Sequence, residues 1–111
     1  MTHHSELHSL LSSIWTRRGP QVLVDITEIC HETKYQSAID DTTYARWREK
    51  LHELLGVFGI MQFDDCVQLC RAAQITLEEL DSESIDDKSL VSLSKIANEL
   101  QISVARHLPG I

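Results

Sequence analysis

His52 is the side chain in this sequence best suited to group-transfer chemistry. Arg48 precedes it by four residues, and Gly56 and Gly59 follow it by four and seven. On a 3.6-residue helix these spacings put all four on one side. The neutral imidazole nitrogen is a competent nucleophile, and near pH 7 an exposed histidine is substantially neutral. Each glycine inside a helix costs ~1 kcal/mol relative to alanine. Two on one flank leave the imidazole standing over nearly bare backbone, which suits a macromolecule that must close over the ring. Arg48 is placed to balance the charge of a phosphorylated ring. An ordinary surface histidine beside helix-packing glycines has the same spacing, and on spacing alone that reading is preferred.

Other candidate groups carry less. Cys66 and Cys70 are one helical turn apart and share a face, so with His31 or Cys30 they could form a soft metal site. They also fall inside an apolar stripe, where cysteine behaves as a small hydrophobe, and that reading is preferred. His3, His4 and His8 belong to a solvated terminus. His107 is expected near a helix C-terminus, where positive charge is favourable. The acidic run of Glu78, Glu79, Asp81, Glu83, Asp86 and Asp87 lacks the spacing of a calcium loop. No phosphate-binding glycine loop, GxSxG, HExxH or kinase motif is present, so no autonomous enzyme is indicated.

The elements that must position these groups read as helices. Trp47, Leu51, Leu54, Leu55 and Phe58, with Tyr44, form the inner face of a helix at about 43–61, and His52 lies outside that stripe. A short helix over 5–15 carries Leu7, Leu10, Leu11 and Ile14 on one face, with Trp15 near its end. Gly19-Pro20 then punctuates, ending one helix and opening the next. The following helix, about 20–36, turns Leu23, Ile26, Cys30 and Thr33 inward and Asp25, Glu28 and Glu32 outward. Residues 36–43 read as a connection. A helix starting near Phe63 or Asp64 has the stripe Cys66, Leu69, Cys70, Ala73, Leu77 and Leu80. After an acidic turn at 81–88, a last helix at about 87–107 shows Leu90, Leu93, Ala97, Leu100 and Val104, continued by Leu108. The short connections favour antiparallel neighbours. The expected fold is all-α: an antiparallel up-down four-helix bundle with a short accessory N-terminal helix, forming one domain over residues 1–111.

Composition bounds the setting. The chain has 111 residues, 42% hydrophobic, enough for one packed core. Its net charge of −7 disfavours nucleic acid and anionic lipid as partners. Three cysteines, an odd number, argue against a disulfide framework and fit a reducing cytoplasm. No apolar run approaches the ~20 residues of a membrane span, and no signal-peptide pattern is seen. A soluble cytoplasmic protein is expected.

The segment from Asp41 to Gln74 resembles the histidine-containing phosphotransfer (HPt) domains of multistep two-component phosphorelays. That signature places a phospho-accepting histidine mid-helix with a glycine four residues on and a small residue at seven, as His52, Gly56 and Gly59 stand here. It often adds a polar residue on the next helix about 22 residues on, where Gln74 stands, and a cysteine at 18 on the packed side, where Cys70 stands. The resemblance implies a four-helix bundle in which His52 accepts a phosphoryl group from a receiver-domain aspartate and passes it to another receiver domain. Gln74 would orient the imidazole, while Arg48, Leu55, Gly56 and Gly59 would meet the partner. The implied partners are the receiver domains of a hybrid sensor kinase and of a response regulator. No cofactor or metal is expected on this chain; Mg²⁺ is expected on the partner's receiver domain. The chain would be a phosphocarrier without independent turnover. One position departs from the pattern: where the family usually has lysine three residues after the histidine, this chain has Leu55. Arg48 or Lys50 would then have to substitute, or the chain would be a non-transferring, pseudo-HPt docking or scaffold module for a kinase or response regulator.

Overall fold

Trp15 and His107 stand 92 residues apart in sequence and meet in space. The Trp15 indole Nε1 donates to the His107 carbonyl at 2.7 Å, tying an early helix to the end of the last one. The structure, a computed structural model, describes residues 2–35, 41–80 and 87–107. They form four helices and no strand: α1 (Thr2–Tyr35), α2 (Asp41–Met61), α3 (Asp64–Leu80) and α4 (Asp87–His107). The cross-helix bonds fix their directions. Trp15 meets His107 while Thr27 meets Gln101, so α1 and α4 are antiparallel. Glu32 meets Arg46 while Asp25 meets Lys50, so α1 and α2 are antiparallel as well. The two-residue joint at Gln62 and Phe63 folds α3 back along α2. The result is the expected up-down four-helix bundle.

The short accessory N-terminal helix is not a separate element. It is the first half of α1, which runs unbroken through Gly19 and Pro20. Proline inside a helix removes one backbone bond, here to the Thr16 carbonyl, and is unfavourable by ~3 kcal/mol. Tertiary packing overrides that local signal. Trp15, Gly19, Val22, Ile26, Ile29 and Thr33 are all buried, and alternating steps of four and three residues keep them on one continuous stripe across the proline. The inward positions are therefore Val22 and Ile29, each one residue before the expected Leu23 and Cys30, which are half-buried at the edge. Glu32 also turns inward: it accepts from the Trp47 indole Nε1 at 2.6 Å and pairs with Arg46.

Helix α1 has 34 residues, about 51 Å at 1.5 Å per residue. That accounts for the 55 Å long dimension of the molecule. Because Trp15 stands level with the end of α4, the turns before it extend past the described bundle. Leu7 and Leu10 are accordingly exposed, while Leu11 and Ile14 pack partly against the core.

The core is one cluster built around Trp47, Phe58, Ile26, Leu51, Leu77, Leu93 and Leu100. The expected stripes of α3 and α4 are buried at Cys66, Cys70, Ala73, Leu77, Leu90, Leu93, Ala97, Leu100 and Val104, and Leu69 is half-buried. The Leu80 and Leu108 side chains, most of the 36–43 connection and most of the acidic turn at 81–88 lie outside the described residues.

The joint between α2 and α3 is a Schellman cap. The Gln62 N–H donates to the Gly59 carbonyl at 3.2 Å and the Phe63 N–H to the Phe58 carbonyl at 3.0 Å, with Gln62 at φ 61°. This left-handed position usually belongs to glycine. The Phe63 carbonyl then accepts from Val67 at 2.9 Å and opens α3.

Candidate functional site

Helix α2 places His52 on the opposite side from its buried row of Thr43, Trp47, Leu51, Leu54, Phe58 and Met61. The imidazole is exposed, next in sequence to Leu51, whose side chain is only 1% exposed. The register of α3 against it is set inside the core. The Cys70 thiol donates to the Leu51 carbonyl at 3.2 Å, in a fully buried contact. One turn beyond Cys70, Gln74 comes up at the α2–α3 seam, half-buried. The two helices thereby enclose a groove of about 570 Å³ lined by Tyr44, Ala45, Arg48, Glu49, His52, Gln74, Leu77 and Glu78.

Three residues singled out in the sequence thus converge on one groove: Arg48, His52 and Gln74. Among the described residues, no hydrogen bond joins Gln74 to the histidine, and Arg48 has no ion-pair partner. Lys50, the other cation considered, lies elsewhere: its ammonium is 3.7 Å from Asp25 and 3.9 Å from Glu53. Leu55 is half-buried and packs partly against the core. The groove lining carries one arginine against Glu49 and Glu78, so its walls are not a strong anion trap.

Gly56 and Gly59 are exposed, and a Cβ built at either would meet nothing within 4 Å. Neither glycine is needed for helix packing within the chain, which removes the structural explanation that the sequence left open. Both flank the histidine on the way to the C-terminal end of α2. Ile60, 63% exposed, follows Gly56 by one turn and extends a low apolar strip along the same row.

The sequence reading missed Tyr44, Glu49 and Glu78 as groove residues. A signal for Tyr44 was present: Tyr44, Arg48, His52 and Gly56 recur every four residues, a single ridge of the helix. Glu78 had none, because its place depends on the register of α3.

The metal grouping considered in the sequence does not form as drawn. The Cys70 sulfur is occupied with the Leu51 carbonyl in a buried contact, and burial pushes the thiols of both Cys66 and Cys70 up to about 12. Cys66 instead stands at the far end of the bundle, beside Asp65 and His107. No helix among the described residues is long and apolar enough to cross a membrane. No protein-family model, curated protein or solved structure matches the chain.

Proposed function

We propose that this chain is a histidine phosphotransfer protein of a two-component phosphorelay, carrying a phosphoryl group on His52 between two receiver domains. The observation that carries this reading is an exposed histidine on the rim of the α2–α3 groove, followed by two helix-interior glycines whose missing side chains open onto free space. A chain accepts the instability of two such glycines where a partner must approach the backbone.

The mechanism follows from the parts. An imidazole nitrogen, Nε2 in this reading, attacks the phosphorus of a receiver's aspartyl phosphate in line. The P–N bond forms as the P–O bond to the aspartate breaks, and the carboxylate leaves with the electron pair. Mg²⁺ and a lysine in the receiver stabilise the transferring group, so the carrier needs no metal for this step. Gln74, on the facing helix and lining the same groove, would orient the ring once a partner closes over it. Arg48 offers a positive charge in the same groove, and the acidic neighbours Glu49 and Glu78 keep the phosphoryl group from being held too tightly. A loosely held group suits a relay whose transfer runs in both directions. The protein then has no turnover of its own and works where receivers and kinases meet, in the cytoplasm.

Leu55 favours a second reading. Its side chain rests against the core where the family usually offers a lysine, and a bundle of this kind could dock a kinase or receiver without accepting phosphate. Incubation with a phosphorylated receiver domain, comparing wild type with His52→Gln, separates the two. The carrier reading expects label on the wild type and none on the variant. Binding without uptake by the wild type would leave the docking module.

A further inference from the structure

The other end of the bundle carries a second cluster of reactive side chains. His107, the last residue of α4, places its Nε2 at 3.1 and 3.2 Å from the two carboxylate oxygens of Asp65, in the first turn of α3. Cys66 follows Asp65, and one ligand atom from each of Asp65, Cys66 and His107 falls within 4.8 Å of the others. They come from two helices and 42 residues of separation, so only the assembled bundle makes the cluster.

We propose that Asp65, Cys66 and His107 form a binding site for a divalent transition metal of the zinc class. The donor set is one carboxylate oxygen, one thiolate sulfur and one imidazole nitrogen, a mixture that suits zinc, cobalt or ferrous ions over magnesium or calcium. The geometry is close to what such an ion needs. With bonds of about 2.0–2.3 Å in a tetrahedron, neighbouring ligand atoms stand about 3.3–3.7 Å apart. The His107–Asp65 separation is already near that edge, and the sulfur, within 4.8 Å of the other two atoms, must close by about 1.3 Å at most to reach a sulfur edge of about 3.5 Å, within reach of a side-chain adjustment. Three protein ligands leave a fourth position for water.

The ring is held ready. His107 stacks on Phe63 with centroids 3.8 Å apart and planes 12° from parallel. Phe63 in turn meets Trp15 edge-on at 4.9 Å, and Trp15 clamps the His107 carbonyl. These contacts use the face and backbone of His107 and leave Nε2 at Asp65. Solvent reaches the cluster past Asp65 and His107, whose side chains are 47% and 29% exposed, while Cys66 forms its buried floor. Binding displaces the Cys66 thiol proton to solvent, one proton per ion, and requires His107 to present a neutral nitrogen. A bound ion would staple the starts of α3 and the end of α4 beside the Trp15 clamp, independently of His52.

The test titrates Zn²⁺ and Co²⁺ into a chain carrying His3→Ala, His4→Ala and His8→Ala, which removes competing terminal histidines. One equivalent should bind, raise Tm, and give the cobalt form a thiolate-to-metal absorption band. Cys66→Ala should abolish that band. His107→Phe, which keeps the stack on Phe63 but has no ring nitrogen, should weaken binding more than tenfold while the bundle still folds by circular dichroism. Absence of a stoichiometric ion, a cobalt spectrum without the thiolate band, or undiminished binding by His107→Phe would overturn the proposal.

Discussion

Replacing Gly56 and Gly59 with alanine should make the protein more stable and, if it carries phosphate as proposed, a poorer carrier. Each alanine adds a Cβ into open space, with nothing within 4 Å, so no steric penalty opposes the gain in helix propensity. That gain is about 0.5–1 kcal/mol per site, or about 1–2 kcal/mol for the pair. For a chain of 111 residues, an unfolding entropy of about 2.1 cal/mol/K per residue makes 1 kcal/mol worth about 4 °C. The double variant should therefore melt about 4–9 °C higher in a thermal scan followed by circular dichroism. The same methyl groups stand where a docking receiver would meet the backbone beside His52. A displacement of about 1 Å at a reacting centre can lower a rate by about 10²-fold, so transfer from a phosphorylated receiver should slow sharply. Gly56→Glu, adding bulk and charge at the same exposed site, should block it while leaving the fold intact. Opposite signs for stability and transfer are the signature of residues kept for a partner. A lower Tm would refute the open-space argument, and a higher Tm with unchanged transfer would refute the docking geometry.

Two further outcomes follow from the joint and the far end of the bundle. Gln62→Gly should raise stability by about 1 kcal/mol in urea titration, because it relieves a left-handed residue that has a Cβ, and a loss of stability would show that the Gln62 side chain does more than fill the cap. At Asp65, burial acts to raise the carboxyl, but the His107 hydrogen bond, the Cys66 backbone N–H and the His107 charge outweigh it, and the net pKa is lowered. A depressed carboxylate contributes stability that is present above its unfolded value of about 3.9 and is lost as the pH falls through the folded value. Asp65→Asn should therefore destabilise at pH 7 and converge on wild type in acid, and parallel stability profiles down to pH 3 would contradict it.

The periodic apolar stripes made most of the fold legible. Trp47, Leu51, Leu54 and Phe58 on α2, and Leu90, Leu93, Ala97, Leu100 and Val104 on α4, are buried as their spacing required. The exception is instructive. Gly19-Pro20 carries the strongest local stop signal in the chain, yet the stripe from Trp15 through Gly19 to Val22 crosses it without a change of phase. Local punctuation and long-range pattern disagreed, and the pattern prevailed because the face must stay buried for the whole length of α4. The site was legible wherever its members share a helix. Arg48, His52, Gly56 and Gly59 could be assembled from spacing on α2 alone. Glu78 and the Asp65–His107 pair could not, because their placement depends on the register between helices, which the Cys70–Leu51 and Trp15–His107 bonds set.

In the proposed carrier reading, Leu55 bears on how the phosphoryl charge would be met. A lysine three residues after the histidine would stand one turn toward the C-terminal end of α2, near the glycine strip. Arg48 stands one turn the other way, inside the groove, on the ridge shared with Tyr44 and His52. Moving the cation from one side of the ring to the other changes what a partner meets. The glycine side, with Gly56, Gly59 and Ile60, becomes an uncharged, low and apolar landing surface, and the positive charge retreats to the side facing Gln74. A receiver approaching over the glycines would then bring its own cations, Mg²⁺ and lysine, without opposing a lysine on the carrier. Charge neutralisation would be divided between the two proteins, with the partner supplying most of it. In that arrangement, losing the lysine weakens the carrier's hold on phosphate between transfers more than it weakens the transfer itself, because the receiver's ions are present only while the two proteins are in contact.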